Sequence, residues 1–382
     1  MSISVFRIAN RLITGQGAIK SLNEELSKLG VKRPLIVSDR ILNEIGVVAQ
    51  VRANIPDVET EVFTGVLPEP ETDVVEACKA AFLAGNHDGL IAVGGGSVVD
   101  TAKVVSVYAG LDSELSDLFE ADSVKDKGFP LIAIPTTAGT GSEVTNIAVL
   151  SDKKSQLKRG IVSDFMLPDV AILAPEMTVT MPPSVTAASG VDALVHAIEA
   201  YLSVNASPVT DALALQAMKM ITKYLPKAFG NPNDLEAREQ MVTASLLAGM
   251  AFGNAGVGAV HALAYPLGGR YNIAHGVSNA LLLPFVMEWN KLCCLERFRD
   301  IAIAMHENVK GLSDHETADL AVAAMHRLCK EVNIPSGLKS FGIPESALAE
   351  MADDAIKIER LLKNNPRVFS RDEIEAIYRS AF

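Results

Sequence analysis

Three histidines and a nearby carboxylate are the residues best suited to carry out chemistry. Asp192 and His196 are four residues apart in a stretch with helical periodicity, which places both side chains on one helix face. His261 and His275 lie in apolar, glycine-containing surroundings, where a buried imidazole needs a partner or a ligand. Glu199, three residues beyond His196, is a competing carboxylate. Three imidazoles with one carboxylate suit Fe(II) or Zn(II) rather than Mg(II) or Ca(II).

Spacing alone leaves this metal site a hypothesis, because an Asp and a His four residues apart are also common as a surface pair or a helix cap. The contrast with the remaining histidines supports it. These four have polar or charged neighbours and are predicted to be solvated: His87, His306, His315 and His326.

Two loops in the first half have the composition of a phosphate-binding site. One follows the apolar run Gly89–Val93 and contains three glycines and Ser97 before a helical stretch. Glycines allow close approach of the backbone to a ligand, Ser97 can cap the helix, and the helix N-terminus attracts an anion. The second loop, Pro135–Glu143, carries four hydroxyls and two glycines. Either loop could instead be a simple connection, and neither has the GxGxxG pattern.

Asp39 ends another apolar run and is a candidate for nucleotide selection. Its carboxylate could accept both hydroxyls of an adenosine ribose and would repel a 2′-phosphate. The alternative is an N-cap or turn residue. Loops at the carboxyl ends of parallel strands would place a nucleotide in the crevice of the sheet.

The elements that position these residues differ between the two halves. The first half alternates apolar strands with amphipathic helices, which predicts a parallel sheet covered on both faces. The predicted strands are Pro34–Val37, Thr60–Val66, Gly89–Val93, Leu131–Pro135 and Val170–Leu173, and the predicted helices are Asp73–Ala84 and Val98–Tyr108.

The second half has apolar residues at helical spacing and few strand-like runs, so it is predicted to be all-α. Its helices are predicted at Val185–Leu202, Val209–Leu225, Leu235–Met250, Ala318–Val332 and Glu345–Leu362, with a stop at Pro226. The change in composition divides the chain into residues 1–178 and 179–382. We expect the active site in the cleft between these domains.

Composition excludes several classes of protein. The 382 residues carry a formal charge of −12, which argues against nucleic acid or an anionic membrane as a partner. The longest apolar run, Ala280–Met287, is too short to span a bilayer, and no leader segment is recognisable. The four cysteines form no CxxC pair and are expected to be buried free thiols, so we expect a cytoplasmic protein.

Taken together, the motifs resemble those of the iron-containing, or group III, alcohol dehydrogenases, in particular members of the lactaldehyde reductase and propanediol oxidoreductase type. The resemblance extends through essentially the whole chain, and the motifs in combination are highly specific. They are Gly94–Lys103, Pro135–Glu143, Gly190–Glu199, His261–Pro284 and Asn365–Arg367.

The resemblance implies an α/β N-terminal Rossmann-like domain and an all-α C-terminal domain, the dehydroquinate synthase-like architecture. It implies that the metal ligands are Asp192, His196, His261 and His275. It implies NAD as cofactor, selected over NADP by Asp39. The residues implied to line the dinucleotide are Gly95, Gly96, Ser97, Thr136, Thr137, Thr140 and Ser142, with Lys158 beside it.

The implied activity is hydride transfer between NAD(H) and a small alcohol or aldehyde, with a divalent metal as Lewis acid on the substrate oxygen. Fe(II) is the metal expected from the resemblance, and Zn(II) is the alternative. The resemblance also implies a homo-oligomer, at least a dimer. It suggests a substrate pocket that includes Ile147, Phe252 and Leu361.

Three other functions share part of this pattern. A zinc-dependent polyol oxidoreductase resembling glycerol dehydrogenase uses the same ligand types. A lyase resembling dehydroquinate synthase needs a cluster of Lys and Arg for a substrate phosphate, and the metal-flanking segments contain only Arg270. A non-enzymatic nucleotide-binding protein would have no reason to keep all four ligands.

One departure from the family pattern concerns the substrate side. Many members carry a histidine four residues after the third ligand, whereas this chain has Tyr265. On a helix Tyr265 shares a face with His261. Its ring either simply packs there, or its hydroxyl bonds the substrate or a water that carries the proton away.

Overall fold

The computed structural model describes residues 3–120, 123–152 and 157–382. It divides into two compact units, Arg7–Thr180 and Met181–Phe382, and the second unit also includes the N-terminal residues up to Phe6. The strands are β1 (Arg11–Thr14), β2 (Pro34–Asp39), β3 (Glu61–Val66), β4 (Gly89–Gly94), β5 (Leu131–Pro135), β6 (Ile147–Asp152), β7 (Leu157–Val162) and β8 (Val170–Leu173).

The helices of the first unit are α1 (Leu22–Leu29), α2 (Arg40–Glu44), α3 (Val47–Arg52), α4 (Thr72–Ala84) and α5 (Gly96–Tyr108). Those of the second unit are α6 (Pro183–Leu202), α7 (Pro208–Gly230), α8 (Leu235–Ala255), α9 (Ala259–Tyr271), α10 (His275–Asn290), α11 (Leu295–Ala304), α12 (Asp314–Glu331), α13 (Leu348–Ala355), α14 (Glu359–Leu362) and α15 (Arg371–Ser380).

The first unit contains a parallel sheet, as the sequence predicted, and its six strands lie in the order β1-β8-β5-β4-β2-β3. Two features were not predicted. Strand β1 lies at the sheet edge and is only partly buried, so it lacks a continuous apolar run. Strands β6 and β7 form a separate antiparallel hairpin.

Alternate residues of each central strand pack into two different apolar clusters, which shows that both faces of the sheet are covered. Leu90 and Ala92 of β4 belong to the cluster that contains residues of α4 and α5. Ile91 and Val93 belong to the cluster that contains residues of α1 and α3. This double burial explains why the central strands are apolar at every position.

The second unit is helical, with α6, α7 and α8 packed against one another. Pro226 does not end a helix as predicted, because α7 continues to Gly230. Leu225 and Ala228, on either side of this proline, are buried. Their packing outweighs the loss of one backbone hydrogen bond.

The predicted single helix Glu345–Leu362 is also wrong, because the structure breaks it into a 3₁₀ turn (Glu345–Ala347), α13 and α14. Ile358 has ψ 51° and leaves the helical conformation. The break lets α13 pack on α9 and α15 while α14 packs on α9. Apolar spacing continues across the break, so periodicity could not reveal it.

Two exposure predictions are corrected as well. His87 is 5% exposed, and its Nδ1 lies 3.0 Å from the Arg33 carbonyl oxygen. Cys293 is exposed and Cys294 is half-buried, although all four cysteines are free as expected. In the part of the chain that the structure describes, no single helix meets the length and apolarity of a membrane span, although the bent pair α8 and α9 meets them together.

Candidate functional site

Four predicted ligands converge within the helical unit. Asp192 and His196 lie on α6, His261 lies on α9, and His275 is the first residue of α10. One potential ligand atom from each residue lies within 4.8 Å of the others. All but His275 are buried. Residues distant in sequence therefore form one compact N/O cluster of the kind that binds Fe(II) or Zn(II).

Two of the three imidazole rings in this cluster are stacked, whereas the ring of His275 is tilted by 53° against that of His261. The imidazoles of His196 and His261 have centroids 4.8 Å apart at an interplanar angle of 20°. Phe252, a predicted pocket residue on α8, stacks on His196, with the two ring centroids 4.2 Å apart. The packed aromatic ring restricts the orientation of His196.

Glu199 does not contribute an atom to the cluster but lies behind one of its members. Its Oε2 is 2.5 Å from Nδ1 of His261, and its Oε1 accepts a hydrogen bond of 2.6 Å from the Val260 N–H. The Glu199 side chain is 1% exposed. The sequence left Glu199 as an alternative ligand, whereas the structure gives it the position of a partner to a ligand.

Asn279 on α10 has a similar position beside two other members. Its Nδ2 donates to Oδ1 of Asp192 at 2.7 Å and lies 3.1 Å from Nε2 of His275. Burial disfavours the Asp192 carboxylate, but the three imidazoles and this amide outweigh it, so the pKa of Asp192 is lowered. Asn279 was not predicted from the sequence, although its position four residues after His275 places both side chains on one face of a helix.

The residues present fit a divalent cation. Nε2 of His261 is buried and has no hydrogen-bond partner among the residues that the structure describes. A buried nitrogen without a partner is costly unless a ligand satisfies it. An anionic Asp192 and an imidazole nitrogen without a partner, close together, are suitable donors for a metal ion.

The other predicted substrate-side residues lie on three different elements. Tyr265 lies one turn after His261 on α9 and is partly buried. Leu361 on α14 is 2% exposed. Ile147 begins β6 in the first unit, where its carbonyl oxygen accepts a hydrogen bond from Lys103. Their contact with a substrate stays a prediction.

In the first unit, the two predicted phosphate loops lie side by side because they follow neighbouring strands. Gly94 at the end of β4 pairs with Pro135 at the end of β5, and the Thr136 N–H donates to the Gly94 carbonyl at 3.0 Å. A Cβ on Gly96 would lie 2.7 Å from Cγ2 of Thr140 in the second loop. Close packing of the two loops therefore requires a glycine at this position.

Ser97 does not cap α5 as predicted. The helix begins at Gly96, so Ser97 lies within its first turn, and its hydroxyl donates to the Pro68 carbonyl instead. The N-cap is Gly95, which has no side chain to occupy the first amides of the helix. These amides carry the partial positive charge of the helix N-terminus.

Asp39 ends β2 and caps α2, with its Oδ1 accepting a 2.8 Å hydrogen bond from the Leu42 N–H. Strand β2 adjoins β4 in the sheet. Residues of α3, which follows β2, and of α5, which follows β4, belong to the clusters on opposite faces. The carboxyl ends of β2 and β4 therefore flank the topological switch point, where open α/β sheets bind nucleotides.

Lys103, the last residue of the motif Gly94–Lys103, lies on α5 and contacts the second loop. It is fully buried, and its Nζ donates to Ser142 Oγ (2.9 Å), Thr145 Oγ1 (3.0 Å) and the Ile147 carbonyl (2.8 Å). Burial lowers the pKa of Lys103, while the carboxylates of Asp100 and Glu143 act in the opposite direction. This amine ties α5 to the second loop.

The hydroxyl of Ser142, a predicted cofactor residue, also donates to Asp100 within this network. Lys158, the other side chain predicted beside the cofactor, pairs with Glu69 at 2.6 Å. Both side chains thus have protein partners, and their contact with a dinucleotide stays a prediction.

Arg270 is the one basic residue in the metal-flanking segments that a phosphate-binding lyase site could use, and it forms ion pairs with two carboxylates. It pairs with Glu350 at 2.8 Å and with Asp354 at 2.5 Å. Its charge is balanced by these carboxylates at the exposed end of α9. The geometry therefore offers no support for a substrate phosphate at this residue.

Comparison with known proteins gives consistent results. Residues 9–175 match the model of the iron-containing alcohol dehydrogenases, and residues 186–382 match the C-terminal model of the Fe-containing alcohol dehydrogenase family. Long-chain-alcohol dehydrogenase 1 of Geobacillus thermodenitrificans is 46% identical over 96% of this chain and 94% of its own length. NAD-dependent methanol dehydrogenase of Bacillus methanolicus is 39% identical over 98% and 99%. A crystal structure of 1,3-propanediol oxidoreductase superposes with a TM-score of 0.97 at 40% identity, covering 100% of both chains.

Proposed function

Because this chain belongs to the iron-containing alcohol dehydrogenase family, we propose that it transfers a hydride between NAD(H) and a small primary alcohol or its aldehyde. The metal would be held by Asp192, His196, His261 and His275. The observation that carries this proposal is the convergence of four ligand atoms within 4.8 Å, three of them on buried residues. Fe(II) is the proposed ion, in keeping with the family.

When bound, the metal supplies Lewis acidity toward a substrate oxygen, and the nicotinamide supplies or accepts the hydride. The protein side chains orient these groups. Glu199 and Asn279 hold His261 and Asp192 by hydrogen bonds, and Phe252 packs against His196. Such contacts keep the donors in place before any ligand arrives, which lowers the cost of binding.

The loops after β4 and β5 are proposed to hold the dinucleotide. Backbone amides at the start of α5 can bind the pyrophosphate, because Gly95 and Gly96 leave the helix N-terminus accessible. Thr136, Thr137 and Thr140 in the adjacent loop offer hydroxyls. The Asp39 carboxylate beside the switch point favours a ribose with free hydroxyls over one with a 2′-phosphate.

The names of two relatives, methanol dehydrogenase and 1,3-propanediol oxidoreductase, support primary alcohols as the substrate class. The name of the third relative, a long-chain-alcohol dehydrogenase, indicates that the length of the alcohol substrate varies among relatives. We propose short alkanols and diols, and we retain the prediction of a cytoplasmic homo-oligomer.

Two measurements test this proposal. Elemental analysis of protein purified without oxygen should find about one Fe(II) or Zn(II) per chain, and a panel of short aldehydes should cause NADH oxidation. A zinc-dependent polyol oxidoreductase would instead prefer glycerol-like substrates with zinc. Metal binding without any NADH oxidation would contradict the proposed reaction.

A further inference from the structure

We propose that Glu199 is a positioning residue that fixes the tautomer of His261, so that its Nε2 presents a lone pair to the cluster. This inference rests on the proposed metal function and assigns Glu199 a role distinct from that of a ligand. Both partners of this carboxylate are buried at the start of α9.

One oxygen of the Glu199 carboxylate contacts the backbone of α9. Helix α9 begins at Ala259, so the Val260 N–H is one of the amides that lack a partner within the helix. Gly258 provides no side-chain cap. The Glu199 Oε1 accepts from Val260 at 2.6 Å and satisfies this amide. A backbone N–H can only donate, so this oxygen must accept.

The other oxygen of the Glu199 carboxylate contacts the imidazole ring of His261. The Glu199 Oε2 lies 2.5 Å from Nδ1 of His261. A carboxylate accepts hydrogen bonds at both oxygens, so in the neutral ring Nδ1 carries the proton and Nε2 is left with its lone pair.

The other ring nitrogen of His261, Nε2, faces away from Glu199. Nε2 of His261 is buried and without a partner in the described part of the chain. One ring nitrogen is therefore occupied by Glu199 and the other is left for the cluster. A carboxylate behind a histidine ligand fixes both its tautomer and its ring orientation.

The decisive variant is Glu199→Gln, which has nearly the same shape but only one acceptor oxygen. The amide oxygen must stay on Val260, whose N–H cannot change its role. The amide NH₂ then faces Nδ1, which has to accept, so the ring proton moves to Nε2 and blocks the ligand atom. The expected loss of metal affinity is about 10- to 100-fold.

The tautomer can be read without metal or turnover. At a pH that keeps the rings neutral, ¹⁵N shifts of histidine side chains in the metal-free protein should show Nδ1–H for His261 in the wild type and Nε2–H in Glu199→Gln, with signals assigned by their loss in His261→Ala. Fe(II) or Zn(II) affinity is then measured by competition with a chelator. Glu176→Gln is the matched control, since that carboxylate accepts a 2.9 Å bond from the Gly17 N–H and has no imidazole partner.

An Nε2–H tautomer in the wild type, or wild-type metal affinity in a folded Glu199→Gln, would overturn the proposal. If Glu199→Gln does not fold, Glu199→Asp keeps both acceptor oxygens and should retain the Nδ1–H tautomer; loss of it would overturn the proposal. A wild type with the Nδ1–H tautomer that binds no metal would support the role of Glu199 and contradict the proposed function instead.

Discussion

In the helical unit, the candidate ligands are side chains held by other side chains, with Glu199 behind His261 and Asn279 beside Asp192. In the α/β unit, the candidate dinucleotide site depends on the backbone, where Gly96 lets two loops pack together and α5 presents its first amides. A substitution that keeps the shape of a side chain but changes its hydrogen bonding, such as Glu199→Gln, should therefore impair the candidate metal site. A substitution that adds a methyl group, such as Gly96→Ala, should impair the candidate dinucleotide site. The two sites can be damaged separately.

The largest effect is expected from His261→Ala, which removes one of four ligands. Metal content should drop, and activity should fall by about a thousandfold, because a metal supplies several kcal/mol of transition-state stabilisation. NAD affinity should be unchanged if the two sites are independent. His315→Ala, at an exposed histidine of α12, is the control. Full activity in metal-free His261→Ala would disprove the ligand assignment.

The second largest effect is expected for substitution of Asp39, which should change the preference for NAD(H) over NADP(H). A 2′-phosphate within roughly 4 Å of the Asp39 carboxylate costs up to about 4 kcal/mol per charge pair at an effective dielectric near 20. Asp39→Gly should therefore raise kcat/KM for NADP(H) relative to NAD(H) at least about tenfold.

Asp39 also caps α2, and Asp39→Asn separates the two roles because it keeps a capping oxygen and removes the charge. It should relax cofactor preference with little loss of thermal stability. If the wild type uses NAD and NADP equally well, Asp39 does not lie at the ribose.

A smaller effect should follow from Gly96→Ala, whose Cβ would lie 2.7 Å from Cγ2 of Thr140. Movement of the Thr140 loop should raise KM for NAD about tenfold, or about 1.4 kcal/mol, with metal content unchanged. Gly230→Ala is the control, because its Cβ would have no neighbour within 4 Å. An unchanged KM would show that the contact between the loops does not shape the cofactor site.

The smallest effect is predicted for Tyr265→Phe, which keeps the ring and deletes the hydroxyl. If the ring only packs, kcat/KM should change less than about threefold, or about 0.7 kcal/mol. A proton-relay role would be worth about a hundredfold or more. We expect the smaller change, since the proton can leave through solvent. A hundredfold loss at unchanged metal content would prove this wrong.

The sequence predicted the central strands well, because a strand buried on both faces is apolar at every position. Leu90 to Val93 in β4 show this, with alternate residues in two clusters. It missed β1 and the β6–β7 hairpin, which are only partly covered and contain charged residues such as Arg11 and Lys158.

The family resemblance, confirmed by the comparisons, identified the class of enzyme, but the roles of single side chains needed coordinates. Asp192, His196 and Glu199 are spaced by four and three residues, which is one stripe on a helix. Spacing alone could not separate ligand from partner, because that depends on where α9 begins. Likewise, the roles of Ser97 and Pro226 were mispredicted because both depend on tertiary contacts.

The most direct test of the central claim is a titration of metal against turnover. Protein stripped with a chelator is given Fe(II) without oxygen, and NADH oxidation by a short aldehyde is followed together with bound metal. Activity should rise in proportion to bound metal, reach a plateau at about one ion per chain, and not be restored in His261→Ala. Undiminished NADH oxidation by the metal-free wild type would contradict the proposed role of the cluster.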